Sequence, residues 1–163
     1  MSALREIHFT LPNRPGALAA VARLLAKERI NLAAISVDST PTRGRVRLIV
    51  SDPDRAMTLL RQAGYETEAR EMIVVRLEDR AGSFLRALEA LARAKVNVQS
   101  VALLVAREDG GVLVAVSTDD PVKAREVLAK ARLVSRSAER IITNADVLAT
   151  APTIPPETVG LLL

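Results

Sequence analysis

Two stretches of this chain, residues 11–32 and 77–98, carry one pattern set 66 residues apart. Leu11, Arg14, Gly16, Leu25, Ala26 and Asn31 recur as Leu77, Arg80, Gly82, Leu91, Ala92 and Asn97. Asn13 exchanges softly with Asp79, Leu18 with Phe84, and Ile30 with Val96. Further on the spacing becomes 68, so that Asp52-Pro53 matches Asp120-Pro121, Ala56 matches Ala124, Leu60 matches Leu128 and Ala63 matches Ala131. A two-residue difference is what a surface loop absorbs. Self-similarity at a fixed period means one structural unit used more than once. The unit is about 65–70 residues, near the lower end of independent domain size.

Both copies read alike. In the first, Leu4 to Leu11 alternates as a strand does, and Pro12-Asn13-Arg14-Pro15-Gly16 is a turn cluster. Leu18, Val21, Leu24 and Leu25 recur at helical spacing, which predicts a helix ending near Glu28 with these residues on its buried face. Leu32 to Val37 is a strand, Asp38 to Gly44 a loop broken by Pro41 and Gly44, and Arg45 to Val50 a strand. Asp52-Pro53 opens a second helix with Ala56, Leu59, Leu60 and Ala63 as its stripe, Gly64 stops it, and Tyr65 to Arg70 begins a fourth strand. The second copy repeats the order: strand 71–78, helix 83–94, strand 98–106, turn at Asp109-Gly110-Gly111, strand 112–117, helix 121–131 and a strand near 133–137. With right-handed crossovers this order predicts an α+β fold: two ferredoxin-like βαββαβ units in tandem, each an antiparallel sheet with helices on one face. The expected units are 1–70 and 71–138, followed by an extension, 139–163, that has no counterpart in the first copy. Ile141, Ile142, Val147 and Leu148 can add a short element there, whereas Pro152, Pro155 and Pro156 oppose regular structure. No Gly or Pro lies between Gly64 and Gly82, so the last strand of copy one is expected to run directly into the first strand of copy two.

Composition narrows the chemistry. The 163 residues include no Cys, no Trp, one His, one Tyr and two Phe. Thiol nucleophiles, disulfides and Cys-based metal sites are therefore excluded, and a lone His cannot build a His-rich metal centre. No metal and no cofactor is expected. The net charge of +4 raises the question of nucleic acid. The arginines are spread along the chain, however, with one local group at Arg43, Arg45 and Arg47. With 2% aromatics there is no stacking platform for bases. The expectation is no nucleic acid, no membrane and, with no visible targeting segment, a cytoplasmic location.

The informative positions are the two strand-to-helix turns and the two helix-to-strand turns. Helix N-termini present unpaired N–H groups and partial positive charge, which suits a carboxylate. Gly16 lets a ligand approach the backbone, and as a surface-turn residue it is expected to be replaceable without harm to the core. Asn13 and Asn31 offer amide oxygen and N–H groups, as a zwitterionic ligand requires. The same residues also suit plain turn chemistry: an Asn cap, a first-turn Pro, a left-handed Asn.

Asn13-Arg14-Pro15-Gly16-Ala17-Leu18, Ile30-Asn31 and Ser51-Asp52-Pro53, with their echoes Asp79-Arg80-Ala81-Gly82, Val96-Asn97 and Asp120-Pro121, resemble two ACT domains in tandem over about residues 4–137. The resemblance implies regulatory modules that commonly bind amino acids where two copies meet. It implies one ligand site lined by Asn13, Arg14, Pro15, Gly16, Ala17, Asn31 and Leu32, and a second lined by Asp79, Arg80, Gly82, Ser83, Asn97 and Val98. The second departs from the family pattern at Ala81, where Pro is usual. No catalytic set can be assembled: His8 alternates with core positions, and Asp52, Asp119 and Asp120 sit where carboxylates cap helices. The expected function is non-catalytic, an amino-acid sensor. The alternative is a regulatory subunit docking on a separate biosynthetic enzyme, as the acetolactate synthase small subunit does. Open sheet edges add the expectation of a homodimer.

Overall fold

The computed structural model describes residues 4–108 and 111–135. The expected turn at 109–110, the end of the strand expected near 133–137, and the 139–163 extension lie outside the described residues. The elements run β1 (Leu4–Pro12), α1 (Ala17–Lys27), β2 (Leu32–Ser39), β3 (Arg43–Val50), α2 (Pro53–Gln62), β4 (Glu68–Glu78), α3 (Ser83–Arg93), β5 (Val98–Glu108), β6 (Gly111–Thr118) and α4 (Pro121–Lys130). All sheet neighbours are antiparallel, in the order β2-β3-β1-β4-β6-β5.

Strand β4 belongs to both repeats. Its first half pairs with β1, from His8 opposite Glu68 to Leu4 opposite Met72. Its second half pairs with β6, from Ile73 opposite Val116 to Glu78 opposite Gly111. A bridge between Val75 and Val134 supplies the fourth strand position of the second unit. It is fastened by Arg76 N–H to Leu133 O at 2.7 Å and Ser135 N–H to Val74 O at 2.9 Å. Each unit therefore has the ferredoxin-like strand order. The 70/71 division falls inside β4, a strand that serves both sides.

Three cores follow from side-chain parity. Under α1 and α2, Val21, Leu25, Ala56 and Leu60 pack on Ile7, Phe9, Val46, Leu48 and Val50. Under α3 and α4, Ala87, Leu91, Ala124 and Leu128 pack on Ile73, Val75, Val114 and Val116. The third core contains no helix residue: Ala33, Ile49, Met72, Val74, Leu104, Leu113 and Ala115 come from β2, β3, β4, β5 and β6. These are the residues of the helix-free faces. The sheet is thus folded along β4, its two halves packed face to face with the helices outside. Alanines at 33, 34, 102 and 115 keep this contact thin.

Four sequence expectations change. Leu18 is 37% exposed rather than buried, and Ala17, one position earlier on α1, packs against the core. The 38–44 loop shrinks to a tight tip, since Asp38 pairs with Arg45 and Ser39 with Gly44. Gly44 is buried inside β3, where a Cβ would stand 3.1 Å from Leu11 Cδ1, so its small size admits Leu11 rather than breaking a strand. The left-handed turn positions are Arg29 (φ 56) and Lys95 (φ 57), two residues before each Asn.

Polar groups are buried where the halves meet. Glu6 Oε2 accepts from Ser100 Oγ at 2.9 Å and lies 2.7 Å from His8 Nε2, while Ser117 Oγ donates to Ser100 Oγ at 3.2 Å. The carboxyl group is taken up by partners as buried polar groups require.

Candidate ligand-binding site

The helices start in two ways. Asp52 caps α2 by accepting from Arg55 N–H at 3.0 Å, and Asp120 caps α4 through Lys123 N–H at 3.0 Å. Neither α1 nor α3 has a side-chain cap; each begins on a left-handed glycine, Gly16 (φ 82) and Gly82 (φ 85). At α1, Ala17 N–H reaches Arg14 O and Ala20 N–H reaches Gly16 O, while the N–H groups of Leu18 and Ala19 find no acceptor among the described residues. A Cβ at Gly16 would meet nothing within 4 Å, so the glycine is required by its backbone angle and leaves open space in front of the helix.

That space is a cleft of about 940 Å³, lined by Arg14, Pro15, Gly16 and Ala17 together with Arg43, Tyr65 and Glu66. Neither Arg14 nor Arg43 has an ion-pair partner among the described residues. Tyr65 is steadied by Phe9, their ring centroids 5.5 Å apart. The lining thus holds two guanidinium groups, a helix N-terminus and the Glu66 carboxylate, charges of both signs as the two ends of an amino acid would require. Asn13 does not line the cleft. Its Nδ2 donates to Thr40 O at 2.8 Å and its backbone N–H to Thr42 O at 3.1 Å, which pins the β2–β3 hairpin against the turn.

Asn31 and Leu32 lie beyond the other end of α1. The helix has eleven residues, about 16 Å, so within one chain the expected first site does not converge. Asn31 and Leu32 line a separate, mainly apolar groove of about 720 Å³ with Leu25, Ala26 and Ile30. The Asn31 backbone is clipped to Ser51, N–H to Oγ at 2.9 Å and O to Ser51 N–H at 2.9 Å. The repeat preserves the clip, with Asn97 N–H on Asp119 Oδ1 at 2.9 Å.

In the second unit Asp79, Arg80 and Ser83 line a cleft of about 580 Å³ whose other wall is apolar: Phe84, Val101, Leu103 and Val114 among others. Gly82 forms the turn beside it. Arg80 is paired with Glu78 at 2.5 Å. Ser83 Oγ is buried without a hydrogen-bond partner. Asn97 is exposed and Val98 half-buried, at the far end of α3. Sequence reasoning about the sites missed Arg43, Tyr65, Glu66, Val101 and Leu103. The signal for the first three was topological: in a βαββαβ unit the β1–α1, β2–β3 and α2–β4 connections share one end of the sheet. Among the described residues no group of three or more His, Asp and Glu could hold a metal ion, and no helix is long and apolar enough to cross a membrane.

A duplicated ferredoxin-like unit with a glycine-led, uncapped first helix is the architecture of an ACT domain pair. Residues 2–144 match the model of that family, described as the ACT domain pair, and the chain belongs to it. ACT domains are regulatory modules that typically bind amino acids. No curated protein matches the chain. Among solved structures, a protein from Bacteroides thetaiotaomicron is similar at 24% identity and TM-score 0.74, covering 81% of this chain and 90% of its own. The ligand-free regulatory subunit of aspartate kinase from Thermus thermophilus is similar at 18% identity and TM-score 0.59, covering 80% of this chain and 91% of its own. The corresponding subunit from Thermus flavus is similar at 19% identity and TM-score 0.56, with 80% and 93% covered. At these identities the likeness is one of fold.

Proposed function

We propose that this protein is a non-catalytic cytoplasmic regulator that binds a free amino acid, and that its site is completed by a second copy of the chain. The observation that carries this reading is the separation of the two motif halves by the length of α1. In a two-fold pair whose axis crosses the middle of α1 and β2, the helices run antiparallel. The 13–17 turn of one copy then stands beside Asn31 and Leu32 of the other. The edge strands support such a pairing: Leu32, Ile35 and Val37 on β2, and Val101 and Leu103 on β5, are all exposed apolar residues on open edges. The ligand carboxylate would meet the α1 N-terminus and Arg14, and its ammonium group Glu66. Residues 1–70 and 71–138 would act as the two regulatory units, with Asp79, Arg80, Gly82, Ser83, Asn97 and Val98 forming the second site. The test is thermal unfolding in the presence of each of the twenty amino acids, with light scattering on the same samples. A ligand at about 100 times its dissociation constant stabilises the fold by about 2.7 kcal/mol. No shift with any amino acid, or a 17.5 kDa monomer in the presence of a bound one, counts against the reading.

A second reading, a regulatory subunit docked on a separate amino-acid biosynthetic enzyme, draws support from the aspartate kinase regulatory subunits among the similar folds. Co-purification of a stoichiometric enzyme from the native host distinguishes it from a free-standing sensor.

A further inference from the structure

The arginine group of β3 has no part in the site above beyond Arg43. Parity places Arg43, Arg45 and Arg47 on the same inward, helix-free face as Ile49, since Val46, Leu48 and Val50 lie under the helices. At the Ile49 end this face is sealed by the third core. At the arginine end lies a cleft of about 590 Å³. Arg45, Arg47 and Arg70 project from the first half, Gln99 and Ser100 from β5 of the second, and the His8–Glu6–Ser100 hydrogen bonds close its floor.

The lining carries three guanidinium groups, Arg45, Arg47 and Arg70, and three carboxylates, Asp38, Glu66 and Glu68. Arg47 is held by Asp38 at 2.8 Å and by Ser36 at 2.9 Å, yet its Nε–H is buried without an acceptor. Arg70 stands 3.6 Å from Glu68. Arg45, exposed, two residues from Arg47 and about 7 Å along the same strand face, has no carboxylate partner among the described residues. Glu66, on the rim, is shared with the first cleft. Arg47 and Arg70 thus face Asp38 and Glu68, and the donors left without an acceptor are the Arg45 guanidinium and the Arg47 Nε–H. Guanidinium forks match the planar and tetrahedral oxygens of carboxylate and phosphate.

We propose that the cleft between the half-sheets is a second binding site, bordering the first cleft at Glu66, for a small anionic metabolite carrying a phosphate or more than one carboxylate, with Arg45 as its principal charge partner. The ligand would touch the first half through Arg45 and Arg70 and the second through Gln99, adding a contact across the fold of the sheet.

The test is calorimetric titration of the full chain with inorganic phosphate and with citrate, at an ionic strength held constant with sodium chloride. Wild type should bind at least one probe saturably. Arg45→Gln should bind it at least tenfold more weakly. Arg93→Gln, which removes the same charge from an exposed position on α3, should bind as wild type does. Phosphate alone binding identifies a phosphorylated ligand, citrate alone a polycarboxylate. Absence of saturable binding of either probe, or equal affinities in Arg45→Gln and wild type, overturns the proposal. Amino-acid binding by Arg45→Gln is measured in parallel and should be unchanged, so the two sites stand or fall separately.

Discussion

Ser100 and Glu6, ninety-four residues apart, are joined by a buried hydrogen bond of 2.9 Å that crosses from one repeat to the other. The same carboxyl oxygen meets His8 from its own strand. The fold thus carries a polar link inside the contact between its halves, and the link has an energetic consequence. Ser100→Ala removes one donor from a buried acceptor, and removal of one partner costs roughly 1–3 kcal/mol. A lower urea midpoint with an unchanged slope is expected. An unaltered midpoint would mean that water takes over the serine's role.

The two repeats should unfold together. Leu60 and Leu128 are equivalent and both fully buried. Their replacement by Ala should each cost about 2–5 kcal/mol. Because β4 is common to both sheets, each substitution should shift one cooperative transition. Two separate transitions in Leu128→Ala, by calorimetry, would show that the first unit stands alone.

Gly16 is less replaceable than a surface turn suggests. At φ 82 any residue with a Cβ is strained, although space is open. Gly16→Ala should destabilise by about 1–2 kcal/mol, Gly16→Asn by less, and the same order should hold at Gly82. Binding defects in Gly16 variants must therefore be compared at equal folded fraction.

Acid should release a surface tie between β1 and α2. Arg5 and Asp54 form an ion pair at 2.6 Å. The hydrogen bond from Arg5 holds the Asp54 carboxyl below the usual carboxylate range. A lowered folded-state pKa means the unfolded chain takes up the proton first. The stabilisation is thus present above the unfolded value, about 3.9, and lost as pH falls through the lower folded one. Asp54 is highly exposed, so the effect is small and screened by salt. The difference in urea midpoint between wild type and Asp54→Asn should be measurable at pH 7 in low salt, and should close in acid or at 1 M salt.

Much of this architecture is legible from local pattern. Leu25 and Leu91, Leu60 and Leu128, and the Asp-Pro helix starts each report a helix and its buried stripe, because helical periodicity and cap chemistry are local. The left-handed glycines were visible as turn residues, though not the backbone angle they serve. Two things required tertiary contact. The first is the third core: Ile49, Met72, Val74 and Leu113 sit at alternate positions that a one-sided sheet would give to solvent. The uninterrupted apolar runs 72–75 and 112–116 were the available sign, since strands buried on both faces lose alternation. The second is the split of the candidate site. Residues 13–17 and 31–32 look close in sequence, but the helix between them carries them apart.

The shared strand also sets a rule for changes in chain length. Along β4, Ile73, Val75 and Leu77 face the helices, while Met72 and Val74 face the opposite half-sheet. One residue inserted between Glu71 and Ile73 would exchange these two sets from that point onward. Val74 would then lie beneath α3 and α4, and Val75 would be forced into the alanine-lined seam. The seam thus acts as a phase reference for the duplicated fold. Lengthening by a single residue at the join turns over half the molecule, whereas a change of length at the hairpin tip, Thr40 to Thr42, would disturb its bonds to Asn13 but the facing of nothing beyond it.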